Sequence, residues 1–163
     1  MEKRIEITEE NENTVLLHNR IEELIIGDHC WNYEELTAVD FKYMPFLREL
    51  TVNDHSLDHV REITLSELQH LERTLFLCSP FSIKGSFCVR DCPVLSSLRI
   101  GDGAFVSYVS CVIESNAMLK EIVIGELYNY DESFYHGELV VKGVACWSVL
   151  RNRLAQAGNH YAW

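Results

Sequence analysis

Histidine and carboxylate side chains crowd one short stretch, Asp54-His55-Ser56-Leu57-Asp58-His59. These residue types ligate metals and move protons. His55 and His59 stand four apart, but a zinc site of the HExxH kind needs a glutamate directly after the first histidine, and Ser56 occupies that place. A second candidate is a recurring acid: Asp28, Asp54, Asp102 and Glu126. Carboxylates stacked at a strand spacing of about 4.8 Å could hold a hard cation such as calcium, although an Asp in a turn more commonly bonds its own backbone. Cys88 and Cys92 lie four apart with no third Cys or His at ligand spacing. The sequence has no GxSxG and no P-loop, and Gly101-Asp-Gly103 lacks the third glycine of a dinucleotide fingerprint. The expectation is a chain that is not an enzyme and carries no metal or cofactor. An enzyme or metal-dependent protein built on the His/Asp turn is the weaker alternative.

The spacing of these residues follows from a repeat. Leu95-Ser-Ser-Leu-Arg-Ile-Gly101 returns, 24 residues on, as Leu119-Lys-Glu-Ile-Val-Ile-Gly125. Similar units begin at Ile21, Leu47 and Leu71, so successive starts lie 26, 24, 24 and 24 residues apart. A fixed period of this size predicts a solenoid. Each unit holds two alternating segments, one around Leu98–Ile100 and one around Cys111–Ile113, which predicts two short strands per coil. An aromatic or leucine at Trp31, Leu57, Phe81 and Phe105 fills the turn between them. Gly27, Gly101 and Gly125 end the first strand, where left-handed backbone angles would favour glycine.

The third unit is out of step, because its apolar residues fall at Leu75 and Leu77, one place late. A one-residue slip inverts a strand, so a bulge near Arg73–Thr74 is expected to restore the inward face. The fold class is thus mainly β: a solenoid of about five coils with parallel sheets, in a single domain over residues 1–163. Residues 1–20 form an acidic N-terminal cap, with a half-buried strand at Arg4–Thr8 and a capping strand at Val15-Leu16-Leu17. Residues 21–143 carry the repeats. Val144, Trp147, Leu150, Arg151 and Leu154 follow helical spacing, so residues 144–163 are expected to form a C-terminal capping helix and tail.

Composition narrows the function. The formal charge is −11. Residues 1–40 hold eleven acids against Lys3, Arg4 and Arg20, a net of −8. Such a chain repels phosphate backbones, which argues against nucleic acid. No apolar run approaches the roughly 18 residues needed to cross a bilayer, so no membrane partner is expected. Six cysteines without a CxxC pair fit reduced thiols in the cytoplasm.

Leu95-Ser-Ser-Leu-Arg-Ile and Leu119-Lys-Glu-Ile-Val-Ile resemble the L-x-x-L-x-L core of leucine-rich repeats. The likeness spans residues 21–143 and is similar to the irregular repeats of bacterial and protist surface and scaffold proteins. The Asn or Cys usual two residues after the Gly position is replaced by His29, His55, Ser79, Gly103 and Leu127. The resemblance implies a binding module that presents the outward residues of its first sheet to another protein, whose identity the sequence does not name. Alternation places Glu23, Ile25, Glu49, Thr51, Arg73, Ser97, Arg99, Glu121 and Val123 on that face. On the second sheet Asp40, Thr64, Cys88, Val112 and Val140 point outward. A structural module that assembles with copies of itself, a homo-oligomer, is the alternative.

Overall fold

Short segments such as Glu23-Leu-Ile-Ile26 and Glu49-Leu-Thr-Val52 alternate between half-exposed and buried residues, the mark of strands with one face on a core. In a computed structural model of the chain these segments stack in register. The structure describes residues 2–77, 83–101, 104–105, 107–125 and 137–144, together with the backbone of 148–151. In chain order the strands are β1 (Arg4–Ile7), β2 (Glu23–Ile26), β3 (Ala38–Asp40), β4 (Glu49–Val52), β5 (Glu62–Ser66) and β6 (Arg73–Phe76). They continue as β7 (Ser86–Arg90), β8 (Ser97–Ile100), β9 (Ser110–Asn116), β10 (Glu121–Ile124), β11 (Glu138–Val144) and β12 (Ser148–Arg151). A single 3-10 turn, Phe41–Tyr43, is capped by the Asp40 side chain. Among the described residues no helix is long and apolar enough to cross a membrane.

The first sheet has seven strands in the order β1-β2-β4-β6-β8-β10-β12, and the second has five, β11-β9-β7-β5-β3. All pairings are parallel. The chain therefore winds as a mainly β solenoid of about four turns. That is one fewer than the coil count the repeat suggests, because five recurring starts bound four intervals.

The space between the sheets is closed by stacked apolar side chains. The unit-starting residues Ile21, Leu47, Leu71, Leu95 and Leu119 are all fully buried. Leu24, Leu50, Leu98 and Ile122 line up across the first sheet. Ile63, Phe87, Cys111 and Leu139 do so across the second. Burying one such side chain is worth about 1.5–3 kcal/mol. At the centre the rings of Phe76, Phe87, Phe105 and Tyr108 touch, with Phe87 and Phe105 centroids 4.8 Å apart and Phe105 and Tyr108 4.9 Å apart. The Tyr108 hydroxyl donates to the Val60 carbonyl at 2.6 Å, which satisfies it within the core. Gly85 is required beside that ring, because a Cβ there would lie 2.4 Å from the Arg61 carbonyl oxygen and 2.7 Å from Tyr108.

Several expectations are corrected. No bulge interrupts Arg73–Phe76, which runs in register with both neighbours, Thr74 opposite Leu50 and Leu98. Thr74 and Phe76 point inward, and Leu75 points outward with Leu77 half-exposed. The unit keeps its register because parallel ladders on both sides fix it, and the bulk of Phe76 replaces the misplaced leucines in the core. Val15-Leu16-Leu17 forms no strand: Val15 packs on the core, while Leu16 is 84% exposed. Where helical spacing predicts the capping helix, Ser148–Arg151 is a strand paired with β10. Short apolar runs fit either period, and the open edge of β10 offers ladder hydrogen bonds. Val144, where the helical spacing begins, ends β11, and the remaining expected helix residues lie outside the described ones, as does Phe81.

Left-handed backbone also falls elsewhere than expected. Gly125 adopts φ 70°, but Gly27 and Gly101 have no positive φ. The corner after the first sheet is turned instead by His29, Trp31, His55, Leu57 and Phe105, with φ between 54° and 62°. Leu57 and Phe105 tolerate this because both are fully buried in the turn, and Trp31 packs against the same core.

Candidate protein-binding face

Strand register decides which predicted residues meet. Row by row across the first sheet, Arg4, Glu23, Glu49, Arg73, Ser97 and Glu121 are aligned partners. Opposite charges are bonded across this row. Arg4 Nε donates to Glu23 at 3.0 Å, Arg73 pairs with Glu49, and the Ser97 hydroxyl donates to Glu121 at 2.6 Å. One residue earlier in each strand runs a parallel row, in which Lys3 pairs with Glu22 at 2.6 Å and Arg48 Nε donates to Glu72 at 2.9 Å. The Lys3 hydrogen bond holds the Glu22 carboxyl below its usual range. Exposed pairs of this kind add little to stability, because water and salt screen them. Their larger effect is to fix the side chains of a polar surface.

The next outward row starts at the exposed Glu6 and carries apolar side chains at Ile25 and Leu75. Ile25, Thr51 and Leu75 are aligned and half-exposed, followed by Arg99, whose guanidinium lies 3.9 Å from Glu121. Leu75 belongs to this face although its sequence position suggests the core. Val123 is the exception among the predicted residues. It alternates outward between Ile122 and Ile124 but is only 1% exposed, so it is not available to a partner. The other eight, Glu23, Ile25, Glu49, Thr51, Arg73, Ser97, Arg99 and Glu121, share one surface.

Beside it runs a ridge that sequence reasoning missed. Phe46, His70, Val94 and Met118 recur at 24-residue intervals just before the buried unit-starting leucines. Phe46, Val94 and Met118 are 41–49% exposed, and Phe46 stacks on His70 with centroids 5.6 Å apart. The signal was present in the sequence: three of the four residues at a position that faces water are apolar. On the second sheet, Asp40, Thr64, Cys88, Val112 and Val140 are half-exposed, with Val112 opposite Val140. At the β3 end of this sheet lies an apolar groove of about 580 Å³.

The residues that suggested metal or acid–base chemistry are dispersed. His55 is exposed and stacks face to face on His29, ring centroids 5.1 Å apart. The Asp58 backbone N–H is bonded to the Asn32 side chain at 2.9 Å, which ties the segment into its turn. Asp28 is exposed and Asp54 half-exposed, while Asp102 and Glu126 lie outside the described residues. Among the described residues no three His, Cys, Asp or Glu side chains gather at a cation-binding distance.

The polar corner position lies one residue beyond the His29 and His55 column. There Cys30 donates its N–H to the Ser56 hydroxyl at 3.2 Å, and Ser56 donates to the Gly27 carbonyl of the preceding coil. At the opposite corner Asn116 accepts from the Cys92 N–H and donates to the Val89 carbonyl, each at 3.0 Å. Burial pushes the Cys30 and Cys92 thiols up to about 11, with the Glu12 and Glu9 carboxylates adding to the effect at Cys30 and Asp91 at Cys92. Cys111, fully enclosed, is raised further by burial. The Cys30 thiol donates to the Ile7 and Asp28 carbonyls and the Cys92 thiol to those of Leu65 and Arg90, so both serve the packing of the corners. No protein-family model, no curated protein and no solved structure matches the chain.

Proposed function

We propose that the protein is a non-catalytic interaction module, a leucine-rich-type solenoid that presents the outward face of its first sheet to another protein. The observation that carries this reading is the half-exposed row Ile25, Thr51 and Leu75, bordered by bonded charges along Arg4–Glu23 and Glu49–Arg73. An apolar centre with a polar rim suits protein recognition, and rigid strands hold it in place without an ordering cost at binding. The net charge of −11 opposes nucleic acid. Among the described residues Cys30, Cys88, Cys92 and Cys111 are free, three of them buried, which supports a reducing compartment, the cytoplasm.

The test is affinity capture with mass spectrometry, comparing the wild-type chain with Ile25→Lys/Leu75→Lys and with Arg99→Glu. All three should give the same circular dichroism. Partners of this face should be captured by the wild type and lost with the double variant. Capture unchanged by both variants would place the binding surface elsewhere.

A further inference from the structure

The two sheets end differently at the start of the stack. β1 covers the β2 edge of the first sheet, whereas among the described residues β3 has one strand partner, β5. The Thr37 carbonyl accepts from Arg61 and Glu62 on β5. Because successive residues of a strand direct their backbone groups to opposite sides, Val39 also turns toward β5, and Ala38 and Asp40 direct theirs outward. Such an edge is a template for another strand.

Beside this edge lies the apolar groove, walled by Leu17, Trp31, Tyr33, Leu36 and Tyr43. Tyr43 is 73% exposed, and Leu16, one residue from the wall, is 84% exposed. The surroundings are acidic. Glu34 and Glu35 are exposed on the segment leading into β3, Asp40 in the strand is paired with Lys42 at 3.0 Å, and Glu12 bonds the Trp31 N–H at 2.7 Å. Residues 1–40 carry a net of −8. A second copy would bring a charge of −11 against this end, so charge opposes copy-on-copy stacking.

We propose that the β3 edge docks an extended segment of a basic partner protein, added as one further strand of the second sheet. Apolar side chains at alternate positions occupy the groove, and the intervening Lys or Arg side chains face Glu34 and Glu35. This surface lies on the other sheet from the face assigned above, so either assignment can fail without the other.

The experiment uses the full chain and labelled peptides in fluorescence anisotropy. A peptide of alternating valine and lysine should bind, and the matched valine–glutamate peptide should bind at least about ten-fold more weakly. Raising the salt concentration should weaken the first. Hydrogen exchange should slow at the Ala38 and Asp40 amides when the lysine peptide is bound. Ala38→Pro, which removes an outward N–H, and Leu17→Gln, at a part-exposed wall position, should each lower affinity about ten-fold with unchanged circular dichroism. Equal binding of the two peptides, no binding of either, or full affinity in both variants would overturn the proposal. So would self-association of the chain that Ala38→Pro abolishes, since the edge would then serve a second copy.

Discussion

The two sheets share one core but finish their outer surfaces in opposite ways. Across the first, charged residues are bonded from strand to strand, as Lys3–Glu22, Arg4–Glu23, Arg48–Glu72, Glu49–Arg73 and Arg99–Glu121. Across the second, the described residues give one such pair, Lys142–Glu114 at 2.7 Å, and the outward column is Asp40, Thr64, Cys88, Val112 and Val140. The first sheet is covered by β1 at its leading edge, and among the described residues the second ends at β3. A repeat fixes only inward residues, so each outer surface is free to take its own chemistry. One has become an ordered face and the other an edge.

Substitutions can separate what belongs to the shared core from what belongs to each surface. Phe105 touches Phe76 on the first sheet and Phe87 on the second. Phe105→Ala should cost about 3–5 kcal/mol in urea unfolding and loosen both sheets together. A loss confined to one sheet by hydrogen exchange would break the picture of a common core.

The two corners can be compared by pH. Cys30 and Cys92 lie at opposite corners, and each thiol is raised from its ordinary 9.0 to about 11. A raised thiol adds stability that is complete below pH 9 and is lost as pH climbs toward 11. The loss amounts to about 2–3 kcal/mol for each. Cys92→Ala should flatten the fall in unfolding midpoint over that window, and an unchanged slope would mean the thiol ionises freely.

Within the first sheet, the Thr74 hydroxyl is buried without a hydrogen-bond partner. Thr74→Val should therefore raise stability by about 1 kcal/mol. A loss instead would show that the hydroxyl is bonded. The smallest effect belongs to the surface: Arg73→Gln should leave the unfolding midpoint nearly unchanged, and less changed again in high salt.

The period of 24 residues was legible because core contacts recur at every turn, and eight of the nine residues that alternation points outward are at least partly exposed. Leu75 was misplaced because hydrophobicity alone assigned it inward, while the ladders on both flanks of β6 hold Thr74 there. Val123 was misplaced for the opposite reason: alternation gives a side chain's direction but not what covers it. Neither the groove nor the open β3 edge is a pattern in sequence. Both arise because β1 extends one sheet and not the other. The exposed ridge of Phe46, Val94 and Met118 was legible and overlooked, since only its position relative to the buried leucines marks it as surface.

The account depends most on Leu75 lying outward in one accessible row with Ile25 and Thr51. Leu75→Cys and Thr74→Cys variants, treated with a thiol reagent under native conditions and mapped by peptide mass spectrometry, test this directly. Cysteine at 75 should be modified rapidly and cysteine at 74 protected until the chain unfolds. Protection at 75 with rapid modification at 74 would put the bulge back into the third coil and remove the apolar centre from the binding face.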